Sequence, residues 1–427
     1  MREDLLHFIW KHKKFPQIGL KTTEGSSLSI VKMGQHNHEA GPDFFNSHIR
    51  IDEQLWVGNV EIHLKSSDWY AHNHEIDDAY NSVILHVVWE DDGAVFRSDN
   101  SKMPTLELKS FIGNNLLVAY KALFNNSGKK FINCEKGIKA VDDFIVQNWL
   151  ERLFFERLEQ KTEIIKELLQ KSKNDWEYVL FIMLLKNFGL KMNGEPFFSL
   201  QSALHPSVVS KLKNNGFQLE SVIYGLLGVL KEEECLDNYY VELRKEYQFL
   251  KNKFNLSEEG VMKPKFFKLR PPNFPTIRLS QFANLYSVHQ NLFSKLIRNT
   301  SLEDLHIIFK VSASDYWDTH FTFGKESKKN KKRITTKFVN LIIINTILPF
   351  KFYYSKTLGK DNDEELLKII SKIAAEDNSI INNFKKLGAS CSSSKESQAI
   401  LQLYNKYCTK NKCLQCAIGT SLLKGNS

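Results

Sequence analysis

The chain has 427 residues, 42% of them hydrophobic and 25% charged, ordinary for a globular protein and long enough for two or three domains. Thirty Phe against 20 Gly and 10 Pro argue against a long disordered region, and the formal net charge of +9 makes a polyanion partner plausible. No apolar run approaches about eighteen residues and the opening MREDLLHFIWKHKKF has no signal-peptide core, so no membrane partner is expected and a cytoplasmic location is.

In chain order, Leu5, Leu6, Ile9 and Trp10 form one stripe of a helix from Arg2 to about Lys13. A strand is expected over Ser27–Met33. A hairpin follows, Phe44–Ile51 and Leu55–Lys65, turning at Asp52–Gln54. A short helix at Asp77–Tyr80 precedes Ser82–Trp89, whose nearly continuous β-branched character predicts a strand buried on both faces. A short strand covers Thr105–Leu108. From Asp142 the pattern changes to a period of 3.6, with Ile145, Trp149, Leu153, Leu158, Ile165 and Leu169 lining one long amphipathic helix. Further helices are expected at about 175–189, 196–203, 219–231, 237–253, 279–298, 301–310, 335–348, 363–386 and 395–407. The prolines between Leu269 and Arg278 predict an extended interruption. The reading is α+β: a small α/β sheet domain over residues 1–130, then a larger all-α domain over 131–427.

Nine of the thirteen histidines fall in the first 86 residues: His7, His12, His36, His38, His48, His63, His72, His74 and His86. That region carries the chemistry. On the second hairpin strand Glu61, His63 and Lys65 alternate and share a face, while Val60, Ile62 and Leu64 take the other. Pro42-Asp43 opens the first hairpin strand. Asp43 and Glu61 on paired strands can place two carboxylates on one Mg²⁺ or Mn²⁺, with Lys65 or His63 to orient water or meet charge on a phosphate. The plainer alternative makes Asp43 a turn residue and Glu61–Lys65 a cross-strand ion pair.

Pro42-Asp43 followed by Glu61-Ile62-His63 resembles the signature of the PD-(D/E)xK nuclease superfamily, with His63 where the lysine belongs and Lys65 two positions further. The resemblance implies a nuclease-like sheet and metal-dependent phosphodiester hydrolysis. At the level of the whole chain, GPDF, VGNVEIHLKSSDW, HNHEIDDAYNSVILHVV, RPPNFPTIRLSQFA, LIIINTILP and QLYNKYCTKNKCLQCAIG are similar to a bacterial family of unknown function, DUF2851.

Around this centre, Asp68, His72, His74 and Asp77 lie on the loop after the hairpin, where they would border the site or bind metal themselves. His86, inside an apolar strand, reads as a satisfied core histidine. Arg270 and Arg278, with six cations between Lys325 and Arg333, would form a nucleic-acid platform, although a basic run alone is more often a solvated loop. Cys408, Cys413 and Cys416 form a C-x4-C-x2-C cluster, which Cys134 or Cys391 could complete as a Zn²⁺ or iron–sulfur site; the alternative is a set of small buried hydrophobes. Cys235 reads as incidental. There is no GxxxxGK[ST], GxGxxG, GxSxG or HExxH, which disfavours nucleotide motors, dinucleotide enzymes and the common hydrolase classes. Three readings follow: a metal-dependent nuclease, a catalytically silent nucleic-acid-binding scaffold, and a small-molecule metallohydrolase using His72, His74 and Asp77.

Overall fold

Strand periodicity in the first third of the chain builds a seven-stranded sheet. The computed structural model describes residues 1–37, 39–124, 130–232 and 235–424. Its strands are β1 (Leu20–Lys21), β2 (Ser27–Lys32), β3 (Gln35–His36), β4 (Phe44–Ile51), β5 (Gln54–Lys65), β6 (Val83–Glu90) and β7 (Thr105–Glu107). The order is β1-β2-β4-β5-β6-β7, with β3 beside β4. The pairs from β1 to β5 are antiparallel, whereas β5–β6 and β6–β7 are parallel. The crossover from β5 to β6 carries α2 (Asp68–Ala71) and a single turn at Asp78–Tyr80, close to the short helix expected there.

Each face of this sheet has its own cover. Val60 and Ile62 of β5 are fully buried against α1 (Glu3–Lys11), whose Leu5, Leu6, Ile9 and Trp10 are sealed in the same core. Helix α3 (Asn114–Phe124) adds Leu116, Tyr120 and Leu123. Removing one such side chain leaves a cavity and typically costs about 2–5 kcal/mol. Trp69, Val83, Val95 and Met103 form a separate small cluster.

The chain divides into two units, Met1–Trp149 with Leu403–Ser427, and Leu150–Gln402. The boundary expected at residue 130 therefore falls later, and the C-terminal segment returns to the first unit. The change of hydrophobic period marks where strands stop, not where the packing partner changes. Helix α4 (Asp143–Lys171) begins before the boundary, and Trp149 packs edge-on against Tyr407 within the first unit.

Among its described residues the second unit has helices and one two-stranded hairpin, His320–Thr322 with Lys325–Glu326. Its helix Trp176–Phe188 buries residues on every side, as a central core helix does. Two expected helices are each two. Residues 279–298 are shared between Pro275–Val288, which starts four residues earlier, and Leu292–Arg298, and 363–386 contain Asp363–Ser371 and Ser379–Lys386, where Asn378 caps the new start by accepting from the Ile381 N–H. The proline segment is only partly extended, because Pro271 and Pro275 occupy helix starts where a missing N–H is harmless. The run Thr336–Thr357 is long and apolar enough to cross a membrane by length and composition, with 67% of its window buried inside the protein.

Candidate metal centre

The hairpin register sets the centre. Phe44 pairs with Val60, so the next residue pair outward is Asp43 with Glu61. The two carboxylates are interlocked: the Asp43 N–H donates to Glu61 Oε2 at 3.1 Å, and Asp43 Oδ2 accepts the Ile62 N–H at 3.0 Å. A β-bulge follows between Phe44 and Ser47, with Asn46 in the left-handed region at φ 54°. Bulges of this kind re-aim side chains at a strand end.

Glu61 and His63 share the face that α2 and its following loop cover. Ser66-Ser67 turns the chain at the end of β5, and α2 ends on His72. Asn73 then adopts φ 60°, a conformation asparagine tolerates better than most residues, and the His74 N–H returns to the Trp69 carbonyl at 3.0 Å. This reversal brings His72 and His74 both onto His63. The ligand atoms of the three histidines lie within 4.8 Å of one another, with His63 Nε2 3.1 Å from His72 Nδ1. Glu61 Oε1 adjoins the group, 3.6 Å from His63 Nε2 and 3.4 Å from His74 Nε2. Tetrahedral ligands about 2.0–2.2 Å from a metal stand roughly 3.3–3.6 Å apart. The 3.1, 3.4 and 3.6 Å contacts are close to that spacing.

A second group adjoins it. One turn apart on α1, Glu3 and His7 face Asp43, with His7 Nε2 3.1 Å from Asp43 Oδ2 and 3.8 Å from Glu3 Oε1. Their ligand atoms also fall within 4.8 Å of one another. Glu61 stands between the groups, one oxygen toward the histidines and the other bonded to the Asp43 N–H.

The electrostatics describe a centre built for positive charge. Burial, and then the Asp43 charge, push the Glu61 carboxyl far above the usual carboxylate range. Glu3 rises to about 7 through burial and then Asp43. Burial opposes protonation of His7, but its contact with Asp43 raises its pKa nonetheless. His63 falls to about 2, through burial and then the neighbouring imidazoles, and His86 falls to about 3 through burial. Neutral imidazoles and clustered carboxyls are donor types that could hold a divalent metal. Both ring nitrogens of buried His74 lack a hydrogen-bond partner among the described residues, and a cation is one way to satisfy a lone pair there.

His86 is a core residue, as expected, but its Nε2 lies 2.8 Å from His63 Nδ1. With the proton on His63 Nδ1, that contact leaves the Nε2 lone pair free and fixes the ring. Tyr80 stacks on His74 with centroids 3.7 Å apart.

Several expected site residues lie elsewhere. Lys65 leaves the group because β5 ends there: its side chain is 58% exposed and pairs with Asp92 at 3.5 Å. Asp68 accepts the Lys65 N–H at 3.0 Å, and Asp77 caps the Asp78–Tyr80 turn through the Ala79 N–H. Both serve the loop rather than the metal group. Arg278 belongs to the second unit and is buried, its guanidinium held by Asn273 and Gln281 and lying over the Phe338 ring. That removes it from any phosphate-binding surface. Arg270, in the same unit, is exposed. Of the 325–333 run only Lys325–Glu326 lie in the hairpin; Lys325, Lys328, Lys329, Lys331 and Arg333 are exposed, as a solvated loop would have them, whereas Lys332 is buried and donates to the Asp318 and Asn330 carbonyls. Cys134, Cys408, Cys413 and Cys416 line one pocket of the first unit, while Cys391 lies in the second. His38 lies outside the described residues.

Sequence reasoning missed Glu3 and His7. Their spacing of four on a helix was the available signal, since it places both side chains on one face.

No curated protein and no solved structure matches the chain. A family match extends over residues 3–379, most of the length, and on that match the chain belongs to the family described as Protein of unknown function (DUF2851).

Proposed function

We propose that the first unit is a metal-dependent phosphodiesterase acting on nucleic acid. The observation that carries the reading is the convergence of Asp43, Glu61 and three histidines at the end of one β-hairpin. The element order bears on it: the nuclease resemblance implies a helix, three strands, a helix and a further strand, and the first unit follows this with a parallel last strand but only the four-residue α2 and one turn where the second helix belongs. The donors fit divalent ions. Their mixture of imidazole and carboxylate suits manganese or zinc better than magnesium, which prefers an all-oxygen shell.

Bound cations would supply polarisation of a phosphoryl oxygen and a water acidic enough to ionise near neutral pH. His63, His72, His74 and Glu61 would hold one ion, and Glu3, His7 and Asp43 a second, with Glu61 between them. A second cation would take the role that a lysine plays in the nuclease signature, which Lys65 is not positioned to fill. His72, exposed where the other histidines of its group are buried, marks the open side toward substrate. The net charge of +9 favours collecting a polyanion.

The enclosure of Glu61, His63 and His74 favours a small phosphoester as the second reading. Chelated protein resupplied with Mn²⁺, Zn²⁺ or Mg²⁺ and offered labelled single- and double-stranded DNA and RNA separates the two. Cleavage is expected with Mn²⁺ or Zn²⁺, and Glu61→Gln should reduce it by a factor of about 100 or more. Turnover of bis(p-nitrophenyl) phosphate with no oligonucleotide cleavage supports the small substrate. Undiminished cleavage by Glu61→Gln contradicts both.

A further inference from the structure

Between Glu259 and Glu303 the chain has no acidic residue and seven Lys and Arg. Four of the seven, Lys263, Lys265, Lys268 and Arg270, fall in the segment ahead of Pro271-Pro272, interleaved with Phe266 and Phe267. All four are exposed, and among the described residues none enters an ion pair. Glu258, just upstream, is taken by Lys231 and Lys251. Phe267 is 78% exposed.

The second unit bonds this segment by its backbone and leaves the side chains out. Asn193, buried in the helix Leu190–Phe198, donates from Nδ2 to the Lys265 carbonyl at 2.8 Å and accepts the Lys265 N–H at 2.7 Å. Ser199 Oγ accepts the Met262 N–H at 2.8 Å. The segment then turns at Phe267-Lys268, where the Leu269 N–H returns to the Phe266 carbonyl at 3.4 Å. Lys268 takes φ 62° there, a left-handed conformation that strains a lysine and that turns normally assign to glycine or asparagine. Phe266 packs edge-on to Phe274, which leaves Phe267 at the turn with the Lys268 ammonium 5.2 Å from its ring centre.

The chemistry selects the partner. An exposed ring beside unpaired cations meets the two demands of a single nucleic-acid strand, an aromatic face for a base and positive charge for phosphates. In a duplex the bases already stack on one another, so a ring on a turn finds no free face. One ring also buries too little apolar surface to hold a bilayer.

We propose that the Lys263–Arg270 segment of the second unit binds single-stranded nucleic acid. Phe267 stacks on a base, while Lys263, Lys265, Lys268 and Arg270 meet the flanking phosphates.

The test is fluorescence anisotropy of labelled oligothymidylate with the full-length chain in chelator, which keeps the strand uncut. Phe267→Ala should weaken binding about fivefold or more, and Phe267→Trp should not. Lys265→Gln combined with Arg270→Gln should lower the slope of log affinity against log salt by about 1.4. Phe144→Ala, which removes another exposed ring, beside Asp142 and Asp143, should change nothing. Equal binding by wild type and Phe267→Ala would overturn the proposal. So would a Phe267→Ala loss as large on a duplex as on the single strand, or Phe267-dependent binding to phosphatidylserine vesicles in place of the oligonucleotide. The readout is binding without metal, so its failure is separate from failure of the catalytic reading of the first unit.

Discussion

Glu61 concentrates the physical conflict in the candidate metal centre. It is buried, Asp43 is beside it, and its folded pKa lies well above the unfolded value of 4.5. Between those two values the folded metal-free chain binds a proton that the unfolded chain does not. Stability therefore falls as pH rises through that window, by up to about 1.4 kcal/mol per pH unit. In chelator, urea unfolding of Glu61→Gln should show a flatter pH dependence than wild type between pH 5 and about 8. Equal slopes would mean that Glu61 is not protonated in the metal-free fold. His86 acts one step out, through His63. His86→Ala should weaken metal binding by a factor of about 10–100 while leaving the fold intact, measured by competition with a chelating dye. Unchanged affinity would remove the positioning role assigned to it. The pairing of Asp43 with Glu61 was legible because alternation and hairpin register are local properties. The loss of Lys65 was not, because it depends on where β5 stops and Asp92 draws the side chain away. Glu3 and His7 escaped notice because α1 lies some forty residues from Asp43 in sequence, and only packing joins them.

At the scale of elements, the sheet and α4 were readable from periodicity, since their apolar positions repeat without interruption. The breaks in helices 279–298 and 363–386 were not, because the residues that stop them act through caps and backbone contacts. Helix α4 carries its own testable feature. The Lys161 ammonium is enclosed by the Ile344 carbonyl, Asn345 and Gln398, and burial lowers its pKa to about 7 from the ordinary 10.5. Between these values the unfolded chain holds the extra proton, so stability rises with pH. Lys161→Met should remove that rise, measured as urea stability at pH 7 against pH 9.5. A wild-type protein no more stable at the higher pH than the variant, relative to pH 7, would show that the ammonium stays charged.

For the whole molecule, the excess of 58 Lys and Arg over 49 Asp and Glu bears on how the proposed polyanion substrate would be captured rather than on the fold. Binding of single-stranded oligonucleotide to Glu61→Gln, which leaves the substrate uncut, should weaken about tenfold or more between 50 and 200 mM salt. Salt-insensitive binding would argue for a small substrate instead. The division into units was the least legible property at this scale. Nothing in local composition announces that Leu403–Ser427 returns to the first unit, and Cys134 with the three late cysteines was the only sequence hint of it.

Anomalous scattering at the manganese edge, from crystals soaked in Mn²⁺ after chelation, tests the centre most directly. Density should lie among Glu61, His63, His72 and His74, with a second peak beside Glu3, His7 and Asp43. Metal found elsewhere, or no peak at either position at saturating Mn²⁺, would contradict the account.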